Sequence, residues 1–184
     1  RVYLNINYKD MRGIIMMYDD KFNIKDMEDM QKLLRANNKT ITCAESCTGG
    51  LIASLITEVS GSSDIFRGSI VTYCNDIKEQ ELNVSKNTMI EHGVVSNQVV
   101  EEMCLGVRKK FNSNYSISVS GIAGPGGGAE NKPVGMICFA IFEENSKIIS
   151  DTIYLKGSRK SIQLGASKII LKKIYKFLQK RLDI

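Results

Sequence analysis

Tryptophan is missing from this chain of 184 residues, proline occurs twice, and histidine occurs once, at His92. One histidine and five scattered cysteines, none in a C-x-x-C pair, do not supply the ligand spacings of a zinc site, so no metal is expected. An odd number of cysteines also argues against a disulfide framework. It fits a reducing, cytoplasmic compartment, with most thiols acting as small buried hydrophobes. Long apolar runs are lacking too. The longest clean one, "VGMICFAIF", has nine residues, whereas a membrane-spanning helix needs about 20. No basic-then-apolar leader opens the sequence. It begins at Arg1, as a trimmed or partial chain would. Aromatic residues make up 7%, without the stacking platform of a nucleic-acid module, so dedicated nucleic-acid binding is not expected.

What is present suits one globular domain. The hydrophobic fraction is 43% and the charged fraction 24%. A chain of this length buries roughly 70% of its unfolded surface. The net charge of +5 is mild. Lys168, Lys172, Lys173, Lys176, Lys180 and Arg181 form a basic run that reads as a solvated helix face. A net-positive surface still attracts a phosphorylated small molecule.

Residues 1–22 read as an N-terminal extension, and residues 23–184 as the domain. Within the extension "GIIMMY" is compatible with an edge strand, a packed arm or a disordered segment. Asn23 with Asp26 resembles a capping box, followed by Ile24, Met27, Met30, Leu33 and Leu34 at helical spacing. "KTITCA" predicts a strand, and a helix is predicted from Thr48 onward. "SGSSDIFRG" reads as a loop or broken turn and "SIVTYC" as a second strand. "NDIKEQEL" and "SKNTMIEHG" read as short helices. Ser96 caps a longer one, and "YSISVS" is a third strand. "VGMICFAIF" and "KIISDTIYL" predict a hairpin, and a last helix is predicted over 159–181. The pattern implies a three-layer α/β/α sandwich with a mixed sheet of about five strands. In such sheets ligands sit beyond the carboxyl ends of strands, where Ser46 and Ser120 both fall.

"TCAESCTGG" places Ser46, Cys47 and Thr48 on a glycine-softened corner. Such a corner serves as a helix cap through Ser46 or Thr48. Its other reading is a reaction centre whose N–H groups bind an anion. Gly49 and Gly50 let a ligand approach the backbone. A nucleophilic serine needs a base. His92 precedes a glycine at a predicted helix end, which suits a C-terminal dipole role better than catalysis. A lysine serves if burial brings its pKa down from about 10.4. Lys78 follows the strand "SIVTYC" on the turn "NDIK", with Tyr73 nearby as a hydroxyl partner. As a lone residue it reads as a surface helix lysine. Cys47 is a rival nucleophile, because thiolates at helix N-termini have lowered pKa values. "GIAGPGGG", 121–128, matches neither a Walker A loop nor a dinucleotide fingerprint. It is a flexible connector or a backbone cradle for phosphate or carboxamide. Arg159 in "KGSRK" is a phosphate clamp or a solvated first-turn residue.

The segments "AESCTGG", "VTYCNDIK", "HGVVS", "SGIAGPGGG", "KPVG" and "GSR", in this order, resemble the CinA C-terminal domain of the PncC-type nicotinamide-nucleotide amidohydrolases. The resemblance covers about residues 27 to 180. It implies an α/β/α sandwich, often dimeric, without metal or other cofactor. The implied activity is hydrolysis of the carboxamide of nicotinamide mononucleotide, in pyridine-nucleotide salvage. The implied nucleophile is Ser46 and the implied base Lys78, with Tyr73 assisting. Substrate binding is implied for Glu45, Thr48, Gly49 and Gly50 at the corner, and for Ser120, Gly121, Gly124, Gly126 and Gly127 in the glycine-rich segment. Arg159 matches the family's arginine. Ser120 stands where the family often has threonine, and Asp76 where glutamate is usual. A non-catalytic nucleotide-binding module, linked to competence or DNA damage, is the alternative that the family's historical name suggests.

Overall fold

The computed structural model describes residues 22–183. The capping box forms as the sequence implies: Asp26 N–H donates to Asn23 Oδ1 and Asn23 N–H to Asp26 Oδ2, each at 3.1 Å. It opens helix α1, Ile24–Ala36, which buries Met27, Met30, Leu33 and Leu34. Strand β1 is Ile41–Glu45, helix α2 is Leu51–Thr57, and a 3-10 turn covers Ser62–Asp64. Strand β2, Phe66–Val71, leads into helices α3, Asn75–Leu82, α4, Lys86–His92, and α5, Asn97–Phe111. Then come β3, Tyr115–Gly121, β4, Met136–Glu143, β5, Ile149–Tyr154, and the long helix α6, Arg159–Gln179.

The five strands form one mixed sheet in the order β2-β1-β3-β4-β5. β1 pairs in parallel with β2 and β3, whereas β4 is antiparallel to both β3 and β5. Each strand alternates its side chains between two cores. Ile41, Cys43, Ile117, Val119, Ile137 and Phe139 face the layer built by α1, α2 and α6. Ala44, Cys138 and Ala140 face the layer of α5 with its neighbours α3 and α4. Helices therefore cover both faces. No helix among the described residues is long and apolar enough to cross a membrane.

On the α5 side β3 presents serines. Ser116 Oγ donates to Cys104 O at 2.9 Å, Ser118 Oγ to Val100 O, and Ser120 Oγ to Val94 O at 2.8 Å. Spacing of two residues puts all three on one face, and each satisfies its buried hydroxyl on a main-chain carbonyl of α5 or the segment before it. A polar strand face thereby becomes a tight seam.

Two boundaries depart from the expectation. Strand β2 begins and ends three residues before "SIVTYC". Thr72 N–H still bonds Glu45 O at 2.8 Å, but Cys74 already serves as the N-cap of α3. The β-forming residues run past the sheet's edge, and helix capping takes over. Helix α2 starts at Leu51 rather than Thr48, because Gly49 and Gly50 take positive φ values of 62° and 100°. The basic run is also less solvated than expected. Lys172 meets Asp26 at 2.8 Å, Lys173 meets Asp151 at 3.5 Å, and Arg181 meets Glu143 at 3.6 Å.

The expected extension over 1–22 and its "GIIMMY" segment lie outside the described residues, apart from Phe22. That residue is 3% exposed and belongs to the same core as the buried faces of α1 and α6. Phe22→Ala is expected to lower stability by about 3–5 kcal/mol, read as a shift in urea midpoint at unchanged slope.

Candidate active site

The site begins with the strand order. β1 is flanked by β2 on one side and β3 on the other, so the chain leaves its end in one direction and later returns on the opposite side. The carboxyl ends of β1, β2 and β3 meet at this switch point, where open α/β sheets bind their ligands. A cavity of about 190 Å³ lies there. Ser46, Cys47, Lys78, Ser120, Gly121 and Arg159 are among the residues lining it.

Ser46 follows the last residue of β1, and its N–H donates to Val119 O at 3.0 Å. Lys78 lies one turn into α3 and is 1% exposed. Its Nζ stands 2.7 Å from Thr72 O and 3.1 Å from Ser46 Oγ. Burial holds the Lys78 pKa below the ordinary lysine value of 10.5. A neutral amine in this position keeps an N–H for the Thr72 carbonyl and turns its lone pair toward the Ser46 hydroxyl. The arrangement can therefore remove a proton from Ser46. The reading of Lys78 as a solvated surface residue does not survive its burial.

The cysteine rival fares differently. Cys47 is 5% exposed, and burial pushes its thiol up to about 12. Lys78 and Cys47 share the cavity wall, but only the amine is shifted toward its reactive form at neutral pH.

Several expected substrate-binding residues are engaged elsewhere. Glu45 is fully buried and turned away from the cavity toward α2. Its carboxylate accepts from Thr48 Oγ1 at 2.7 Å and from the N–H groups of Gly50, Ile52 and Ala53 at 2.9–3.0 Å. The cap of α2 is therefore this carboxylate, in place of the Ser46 or Thr48 hydroxyl. Ser120 lines the cavity, yet its hydroxyl proton is committed to Val94 O. Tyr73 is 56% exposed, and its hydroxyl meets Arg159 Nη2 rather than the Ser46–Lys78 pair. Arg159 also donates through Nη1 to Gly124 O at 2.8 Å, tying the glycine-rich segment to the start of α6. Thr48, Gly49, Gly50, Gly124, Gly126 and Gly127 do not line the cavity among the described residues; Gly121 does. A Cβ on Gly121 would stand 2.5 Å from Ile137 Cδ1 and 3.1 Å from Cys47 Sγ, so glycine is required there for close packing. His92 ends α4, and its carbonyl accepts from Lys132 Nζ at 2.6 Å.

Sequence reading missed Asn75, Val94, Val95 and Ala123 as cavity walls. "HGVVS" contained two of them, but a valine pair carries no chemical signal of its own. It also missed the Thr72 carbonyl, since a main-chain acceptor leaves no mark on residue type.

These features define a three-layer α/β/α domain with a buried serine–lysine pair at the carboxyl edge of its sheet. The chain belongs to the CinA C-terminal domain family, whose model matches residues 24–178. It is 49% identical over 146 residues to a "CinA-like protein" of Fervidobacterium nodosum, a match covering 79% of this chain and 36% of that protein. The chain thus spans little more than a third of that relative's length. It is 40% identical over 153 residues to "Nicotinamide-nucleotide amidohydrolase PncC" of Escherichia coli K12, covering 83% of this chain and 93% of that one. Among solved structures, the competence/damage inducible protein CihA from Agrobacterium tumefaciens aligns with a TM-score of 0.77 at 34% identity. That alignment covers 84% of this chain and 96% of CihA.

Of the five cysteines only Cys74 is exposed. The native protein is expected to release one equivalent of thionitrobenzoate with Ellman's reagent at neutral pH. Cys74→Ser is expected to release none, and the protein in guanidinium five.

Proposed function

We propose that this chain hydrolyses the carboxamide of nicotinamide mononucleotide to nicotinate mononucleotide and ammonia, with Ser46 as nucleophile and Lys78 as base. The observation that carries this reading is the 3.1 Å approach of a fully buried lysine amine to the Ser46 hydroxyl. The amidohydrolase name of the Escherichia coli relative, matched along nearly its whole length, supplies the substrate.

Lys78 takes the Ser46 proton as Oγ forms a bond to the carboxamide carbon. The carbonyl oxygen becomes an oxyanion. Gly49 N–H already donates to Ser46 O at 3.1 Å and Gly50 N–H to Glu45. Stabilisation of the oxyanion therefore falls to Gly121 N–H and the remaining N–H groups of the corner. The protonated lysine returns its proton to the leaving nitrogen, the C–N bond breaks, and ammonia departs. Water, deprotonated by Lys78, then cleaves the acyl-serine and restores both groups. Arg159, held by Tyr73 and Gly124 O, offers its guanidinium to the ribose phosphate at the cavity mouth. A reducing cytoplasm and a homodimer belong to the same reading.

Ser46→Ala and Lys78→Ala are each expected to lower kcat for ammonia release by about 10²–10⁴-fold. Cys47→Ala is expected to remain within tenfold of wild type. Loss in the cysteine variant alone would reject the serine scheme. Ligand binding by a wild type that releases no more ammonia than Lys78→Ala would make the chain a nucleotide-binding module.

The pH dependence has a definite sign. Only neutral Lys78 accepts a proton, so activity falls as pH drops through its pKa in the folded protein. Because burial lowers that pKa, kcat/KM should rise with pH to a plateau whose midpoint lies below 10.5. A midpoint at or above the ordinary lysine value would contradict the assignment.

A further inference from the structure

Beside the reacting pair lies a carboxylate that the proposed chemistry does not use. Helix α2 has only seven residues, and its N-cap is Gly50, which brings no side-chain cap. A helix so short is marginal alone, and its first N–H groups lack partners within it. Glu45 reaches forward from the end of β1 to fill this need. Oε2 accepts from Gly50 N–H, Ile52 N–H and Thr48 Oγ1, and Oε1 accepts from Ala53 N–H. Its negative charge also matches the positive end of the helix dipole.

The main chain of the same residue is tied to the base. Glu45 O accepts from Thr72 N–H at 2.8 Å, Thr72 O accepts from Lys78 Nζ at 2.7 Å, and Lys78 Nζ meets Ser46 Oγ at 3.1 Å. A closed ring of contacts thus runs through residues 45, 72, 78 and 46. The carboxylate spans the corner that holds Ser46, and so fixes the shape of residues 46–50 as well as the start of α2.

We propose that Glu45 is a positioning residue for the reaction: its carboxylate clamps the 46–50 corner onto α2 and so keeps Ser46 Oγ on the Lys78 amine. This rests on the reading of Ser46 and Lys78 as nucleophile and base. A displacement of about 1 Å in such a pair costs on the order of 100-fold in rate, so a loosened corner should be felt in kcat.

The test compares wild type, Glu45→Gln and Thr48→Val in ammonia release from nicotinamide mononucleotide. It is run at a temperature where circular dichroism shows each protein folded, with amide hydrogen exchange followed by NMR. Glu45→Gln keeps the size but leaves one acceptor oxygen in place of two. It is expected to lower kcat at least fivefold, hold KM within threefold, and leave the pH midpoint of kcat/KM in place. It should also speed exchange at Gly50, Ile52 and Ala53. A smaller fall in kcat overturns the proposal. So does a rise in KM at unchanged kcat, which marks a binding role, or a displaced pH midpoint, which marks action on the charge of Lys78. If Glu45→Gln does not fold, Thr48→Val decides. That variant removes one donor to the carboxylate, and a kcat lowered at least twofold at unchanged KM supports the clamp, whereas unchanged kcat overturns it. A wild type that releases no ammonia overturns the hydrolase reading itself, and with it any catalytic part for Glu45. An active wild type beside an equally active Glu45→Gln removes the Glu45 proposal alone.

Discussion

The contact between Lys78 Nζ and Ser46 Oγ joins segments 32 residues apart in the chain, and it places an amine where water scarcely reaches. Burying a charged ammonium is costly, so the surroundings must either pair it or favour its neutral form. Here its fixed acceptors are one hydroxyl and one main-chain carbonyl, and burial lowers its pKa. Much else follows from keeping that amine in place. β2 must lie beside β1 so that Thr72 O reaches the lysine. α3 must start at once after β2, which is why the strand stops at Val71.

Packing around the pair leaves little freedom. β3 is sewn to α5 and the segment before it by three serine hydroxyls, each spent on a carbonyl. Gly121 packs against Ile137 and Cys47 where no side chain fits. The Cys47 carbonyl accepts from Gln163 Nε2 at 2.8 Å, which ties the corner to α6. The serine hydroxyls and the Cys47 carbonyl are buried polar groups satisfied by these bonds, and Cys47, Ser120 and Gly121 are walls of the cavity. Rigidity and polar satisfaction come from the same bonds, as a site built on strand ends requires.

Helices with a strong apolar period were legible in the sequence. The spacing of Val99, Val100, Met103, Cys104 and Val107 marks α5, and the Asn23–Asp26 capping box and the Ser96 cap mark where α1 and α5 start. The hairpin of β4 and β5 was legible from two apolar runs with a polar tetrapeptide between them. Boundaries shifted where two local preferences compete, as at Val71–Cys74, where β-forming side chains coincide with a helix cap. At the site, Ser46 and Lys78 were named from strand-end position and from family resemblance. Glu45, Ser120 and Tyr73 were named with them, yet their polar atoms turn to α2, to Val94 O and to Arg159. Residue type records that a side chain can donate or accept; the partner is left open.

The sequence by itself determined the alternation of strands and helices, the polar corner at residues 46–50 and the supply of glycine where backbones meet, because these follow from periodicity and backbone preference over a few residues. Only the tertiary structure decided that Lys78 is buried, that it meets Ser46, and that Glu45 caps a helix. Burial and hydrogen-bond partnership are set by the order in which distant strands lie side by side, and no short window of residues contains that order.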